Sequence, residues 1–183
     1  HLEGKRNLKT LQLIEAESFD AVVLQDYSIR PVLEADSTLY YGKLLAEAAQ
    51  SKGARIYLYL TWARENNPLM QQHLDETYSQ LAKAIGATIV PVGPAWQLAL
   101  QQRPGIRLFE PDGSHPSPLG SYLSACVFYG ILTGRSPLGL PNQLLTTYRE
   151  GEPLYLDIVH PDDALFCQLV AAEAIRNFAT KQE

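Results

Sequence analysis

The chain has 183 residues, 46% of them apolar and 19% charged, with a formal charge of -5. That composition fits one folded domain with a core of its own and excludes a disordered tail. An acidic balance without a Lys/Arg cluster argues against a nucleic-acid or anionic-membrane partner, and no apolar run approaches the ~20 residues needed for a transmembrane segment.

The opening His1-Leu-Glu-Gly4 has no initiator Met and none of the charged-then-apolar pattern of a secretory signal. It reads as a tag remnant or as the interior of a longer chain, so the compartment stays open. From Asn7 to Ala16 apolar residues recur at helical spacing, with Leu8, Leu11, Leu13 and Ile14 as the stripe. Phe19 to Gln25 is a short β-branched run that predicts a strand buried on both faces. Past a polar loop with Pro31, a helix is expected from Ser37 to Ser51, with Ser37 as its N-cap and Lys52-Gly53 closing it. Arg55 to Thr61 predicts a second buried strand. A third helix starts around Asn66-Asn67-Pro68 and stops at Gly86. Ala87 to Val90 predicts a third strand, followed by a helix to Gln102 and an irregular stretch from Arg103 to Pro116. Pro118 to Thr133 is apolar nearly all round, which places that helix in the interior, and Gly134 ends it. Residues 135–160, punctuated by Pro137, Gly139, Pro141, Gly151 and Pro153, read as a surface excursion. Pro161 opens a last amphipathic helix to Thr180.

Strands alternating with helices of ten or more residues indicate βαβ units and a parallel sheet, an α/β fold in a single domain. In such sheets chemistry collects beyond the carboxyl ends of the strands. Three places satisfy that rule: the loop Gln25 to Ser28, the loop Thr61 to Arg64, and the turn Asp112 to His115. In the turn, a neutral His115 imidazole can take a proton from a hydroxyl and return it to a leaving alkoxide. Asp112, three residues earlier, would hold the ring tautomer and stabilise the imidazolium. The competing view makes Asp112-Gly113 a plain Asx turn and His115 a capping residue before Ser117-Pro118. The Gln25 amide is placed to donate to an oxyanion, with Ser28 beside it; equally, both could satisfy backbone groups at a strand end. Trp62 and Arg64 either line a pocket and clamp an anionic or sugar substrate, or form an aromatic ring packed under an arginine stem.

Other polar residues read more plainly. His73 and Asp75 look like solvated helix surface, and His160 stands at a helix start whose first turn holds Asp162 and Asp163. No His/Cys/Asp cluster has ligand spacing and no glycine-rich phosphate loop joins a strand to a helix, so neither a metal nor a nucleotide cofactor is expected. Cys126 and Cys167 lie on apolar helix stripes and read as buried free thiols.

Asp112-Gly-Ser-His115, followed by Pro116-Ser-Pro-Leu-Gly120, resembles the C-terminal catalytic block of the SGNH (GDSL-type) hydrolases, α/β enzymes that cleave esters. Supporting segments are Val22-Val-Leu-Gln-Asp-Tyr-Ser28, Tyr59-Leu-Thr-Trp-Ala-Arg64, Pro91-Val-Gly-Pro-Ala-Trp96 and Cys126-Val-Phe-Tyr-Gly-Ile-Leu-Thr-Gly134, so that the likeness spans roughly residues 4 to 180 and suggests a bacterial branch. The resemblance implies a three-layer α/β/α, flavodoxin-like fold, with Asp112 and His115 as acid and base of a Ser-His-Asp triad. It implies no cofactor, and a small ester substrate such as an acylated carbohydrate. Two departures matter. The family's oxyanion asparagine belongs to a Gly-x-Asn-Asp block, and here Leu24-Gln25-Asp26 stands in that place, which makes Gln25 a substitute. The family's serine sits in a Gly-Asp-Ser or Gly-Asn-Ser turn after the first strand, and that turn has no counterpart. Ser114 and Ser121 follow glycines, but one lies in the His115 turn and the other inside a helix. The expectation is therefore a chain that begins after the first two strands of the fold, with the nucleophile upstream. The strand at Ala21 to Gln25 would then be an apolar edge that invites pairing with another chain, a second copy included. The rival reading is a non-catalytic domain of the same fold, structural or carbohydrate-binding, in which Trp62, Arg64, Tyr27, Tyr40 and Tyr41 hold the sugar.

Overall fold

The structure, a computed structural model, describes residues 8–148 and 151–180. The chain groups into two compact units, one of His1–Ala63 with Leu69–Val90, the other of Arg64–Pro68 with Pro91–Glu183.

In the first unit, β1 (Ala21–Leu24), β2 (Arg55–Leu60) and β3 (Thr88–Pro91) form a parallel sheet in the order β1-β2-β3. β1 runs beside β2 from Ala21 opposite Arg55 to Leu24 opposite Leu58. Ile56, Tyr57, Leu58 and Leu60 of the middle strand are all buried, as the predicted doubly covered run requires. β1 does not follow that expectation. It ends the sheet among the described residues, Val23 is 44% exposed, and no residue of the strand is fully buried. An apolar run reads the same in sequence whether its outer neighbour is present or not. Helices α1 (Thr10–Ala16), α2 (Arg30–Leu33), α3 (Ala35–Gln50) and α4 (Met70–Ile85) complete the unit, with α3 and α4 crossing between successive strands and packing on each other. The α1 stripe is only partly used: Ile14 is buried while Leu8 and Leu13 are exposed, and Asn7, the expected start, lies outside the described residues. Pro31 is the second residue of the short helix α2, which runs almost directly into α3. Glu34 therefore holds the N-cap position, without a side-chain bond, and Ser37 falls inside the first turn. α4 starts at Met70, past the expected Asn66-Asn67-Pro68.

In the second unit α5 (Val92–Gln102), α6 (Pro118–Thr133) and α7 (Pro161–Thr180) pack together. Tyr122, Leu123, Cys126 and Val127 of α6 and Cys167, Val170 and Ala171 of α7 are buried, in line with the interior placement of α6. Both cysteines are free thiols, and burial pushes each up to about 12. The surface excursion is more ordered than its proline and glycine content suggested. Within it β4 (Gln143–Thr147) and β5 (Pro153–Ile158) form an antiparallel hairpin with a register shift between Leu144 and Leu145.

Candidate active site

The Asp112–His115 turn is the tip of a small hairpin built by its own backbone. Phe109 and Pro116 form an antiparallel bridge, Glu110 N–H donates to His115 O at 2.9 Å, and Ser117 N–H donates to Leu108 O at 2.8 Å. At the tip, Gly113 N–H reaches Glu110 O, and Gly113 takes φ +64, a conformation costly for any residue with a Cβ. The hairpin is tied to α6 at once. Ser117 Oγ accepts from Gly120 N–H, capping the helix, and donates to Arg107 O at 2.8 Å. Below it Trp96 packs edge-on against Phe109 with centroids 4.9 Å apart, and its ring nitrogen donates to Ser124 Oγ. A sequence of Gly/Pro punctuation thus becomes a stiff loop on a buried aromatic floor.

On that loop Asp112 uses both oxygens. Oδ1 accepts the backbone N–H of Ser114 and of His115, each at 2.9 Å, and Oδ2 lies 2.5 Å from His115 Nδ1. The His115 and backbone hydrogen bonds favour the anion and lower Asp112 from 3.8 to about 2. An ionised Asp112 at Nδ1 holds the proton there and leaves Nε2 as the free lone pair. The imidazole is 77% exposed and Asp112 49%, so the ring looks outward and not into the core. No side chain among the described residues engages Nε2. Asp112 makes an Asx turn while its other oxygen meets the ring, and the α6 cap is Ser117 rather than His115.

The other expected residues divide between the units. Arg64 belongs to the second, where Glu65 N–H donates to Gly113 O at 3.0 Å and brings the 64–68 segment against the histidine turn. The Arg64 Nε is buried without a hydrogen-bond partner among the described residues. Gln25, Ser28 and Trp62 belong to the first unit. Gln25 follows the last residue of β1 and lines a cavity of about 470 Å³ with Asp26, Arg30, Thr38, Tyr41 and Tyr78 among others. Ser28 sits half-buried in the turn that leads into α2 and is not among the residues lining that cavity. Trp62 lies past the end of β2, edge-on to Tyr59 at 6.3 Å. Of the residues set aside, His73 is surface as expected, but Asp75 is not: it accepts from buried Gln71 at 2.8 Å. His160 itself supplies the side-chain bond at the start of α7, its Nδ1 accepting from Asp162 N–H. Among the described residues no helix is long and apolar enough to cross a membrane.

No protein-family model matches this chain, and no curated protein does either. Solved structures do. A protein from Slackia heliotrinireducens, described as a candidate SGNH hydrolase, superposes with a TM-score of 0.61 at 26% identity, over 71% of this chain and 74% of its own. This chain is a relative of the SGNH hydrolases. TesA superposes with a TM-score of 0.55 at 17% identity over 69% of each chain, a likeness of fold. For an SGNH relative the parallel sheet flanked by helices is as the resemblance implied.

Within this SGNH relative, several residues that shape the candidate site left no trace in the motif reading. Glu65 reaches Gly113 from nearly fifty positions away, and only tertiary structure joins them. Gly120 was visible as part of the block but not for its reason: a Cβ there would meet Leu108 O and the Trp96 ring. Gln71, Thr38 and Tyr78 hold the loops after β1 and β2, and looked like ordinary helix positions.

Proposed function

We propose that this chain supplies the acid and base of an ester hydrolase of the SGNH type, with Asp112 orienting His115 and a serine outside the described residues as nucleophile. The observation that carries the reading is the contact of Asp112 Oδ2 with His115 Nδ1 on an imidazole that is largely exposed. In the forward step His115 Nε2 takes the serine proton as the oxygen attacks the ester carbonyl. The imidazolium, stabilised by the Asp112 anion, returns that proton to the departing alkoxide, leaving an acyl-enzyme. Water then attacks the acyl-enzyme by the same proton route. Gln25 is the proposed side-chain donor to the oxyanion, while Trp62, Arg64 and Ser28 are proposed to shape the substrate cleft; a small acyl ester, such as an acylated carbohydrate, is the substrate class. The chemistry asks for no cofactor.

The test joins residues 1–183 to any sequence found ahead of them in the native gene and measures hydrolysis of p-nitrophenyl acetate. Activity should appear with the longer chain and be absent from residues 1–183 alone. His115→Ala should lower kcat by about 10³-fold or more, as loss of a triad member does. Hydrolysis by residues 1–183 that His115→Ala abolishes would show that the nucleophile lies within them. The open side of β1, with Val23 exposed, supports a further proposal of strand pairing with another chain. Size-exclusion chromatography reads it, and a clean monomer at micromolar concentration counts against self-association.

A further inference from the structure

Buried polar side chains are costly unless bonded, so where a core places them is informative. In the first unit the buried polar side chains among the described residues are Thr38, Thr61, Gln71 and Thr77. Two of the four, Thr38 and Gln71, spend their bonds on the chain just past the carboxyl ends of β1 and β2, and a third, Thr77, bonds helix α2. Thr38 Oγ1 donates to Asp26 Oδ2 at 2.6 Å, and Thr77 Oγ1 donates to Pro31 O at 2.9 Å. Gln71, only 3% exposed, accepts from Ala63 N–H at 2.8 Å and donates to Thr61 O at 3.3 Å, clasping the residues on either side of Trp62. Its amide nitrogen also reaches Asp75 Oδ1. One further group acts alike: the hydroxyl of buried Tyr78 accepts from Asp26 N–H at 3.2 Å, next to Gln25. Gln71, Asp75 and Tyr78 stand at i, i+4 and i+7, one face of α4.

We propose that α4 is the positioning helix for both loops, with Tyr78 setting the Gln25 loop through Asp26 and Gln71 setting the Trp62 loop through Thr61 and Ala63. Neither residue needs to touch substrate. The functional consequence rests on the reading that Gln25 and Trp62 face the substrate; the mechanical part does not. Tyr78 should govern the alignment of a donor that matters in the transition state, and so act on kcat. Gln71 should govern a wall of the cleft, and so act on KM.

Two arms test this. In the first, amide hydrogen exchange is followed by NMR on residues 1–183. Tyr78→Phe should speed exchange at Asp26 by about tenfold, the worth of one hydrogen bond, while Ala63 and the β2 amides stay unchanged. Gln71→Met, of similar length, should do the converse, freeing Ala63 and leaving Asp26 alone. Unchanged exchange at both amides, or a uniform change across the unit, overturns the proposal. In the second arm the longer, hydrolytic chain is assayed. Tyr78→Phe should lower kcat by about tenfold with KM held, and Gln71→Met should raise KM with kcat held. Thr38→Val should lower kcat as Tyr78→Phe does, and Thr38→Ser, which keeps the hydroxyl facing Asp26, should restore it. Equal losses in every variant, with no rescue by Thr38→Ser, would reduce these residues to general scaffolding. A longer chain with no hydrolysis at all would remove the esterase reading, and the exchange arm would then decide the clamp by itself.

Discussion

Replacing Gly120 by alanine probes the joint between the histidine turn and α6. A Cβ at this position would lie 2.7 and 2.8 Å from two Trp96 ring carbons and closer still to the backbone oxygen of Leu108. Neither neighbour can step aside. Trp96 is 1% exposed and bonded to Ser124, and Leu108 O already accepts Ser117 N–H within the hairpin. Overpacking of a close-fitted core costs about 1–3 kcal/mol. Alanine in place of glycine on a helix returns up to about 1 kcal/mol of propensity. The net expectation is a loss of about 1–2 kcal/mol, or a fall in Tm of about 2–8 °C for a chain of this size. Urea denaturation followed by circular dichroism measures it, with Gly105→Ala as control, where an added methyl meets nothing within 4 Å and the shift should stay within about 0.5 kcal/mol. If Gly120→Ala matches the Gly105→Ala control, the claim that the turn is seated rigidly on Trp96 and α6 is wrong.

Three further outcomes follow from the same geometry. Ser117→Ala removes the α6 cap and the bond to Arg107 O and should cost about 1 kcal/mol in urea denaturation, with loss of protection at the Gly120 amide. Asp112 is depressed from 3.8 to about 2 in the folded chain, so its contribution is fully present above pH 4 and is lost as pH falls toward 2. A carboxyl ¹³C titration should therefore show a midpoint near 2, and Asp112→Asn should remove that part of the acid dependence of stability. Cys126 and Cys167, buried and pushed up to about 12, should resist Ellman's reagent in the folded chain and both react in denaturant.

What could be read in advance followed from how local the signal was. Pro118 and Gly134 bracket α6, and Pro161 opens α7, because proline and glycine fix backbone states within one or two residues. The acid–histidine pair was legible for the same reason, since three positions on a glycine turn suffice to bring Asp112 onto His115. Long-range partners were not. The edge position of β1 was expected only through the resemblance, from the absent first two strands, because Ala-Val-Val-Leu is as apolar for an edge as for a centre. Gln71 and Tyr78 are unremarkable within a helical pattern, and only the fold reveals that their polar ends meet Ala63 and Asp26. The β4–β5 hairpin was missed because its loop residues outweighed a short alternation of threonine, leucine and tyrosine.

The claim beneath all of this is that Asp112 keeps the imidazole protonated at Nδ1 and leaves Nε2 as the base. A long-range ¹H–¹⁵N correlation spectrum of the neutral His115 ring, recorded on residues 1–183, reads the tautomer directly. The expected result is the Nδ1-protonated form, lost in Asp112→Ala. A ring protonated at Nε2, or a tautomer mixture unaltered by Asp112→Ala, would contradict it.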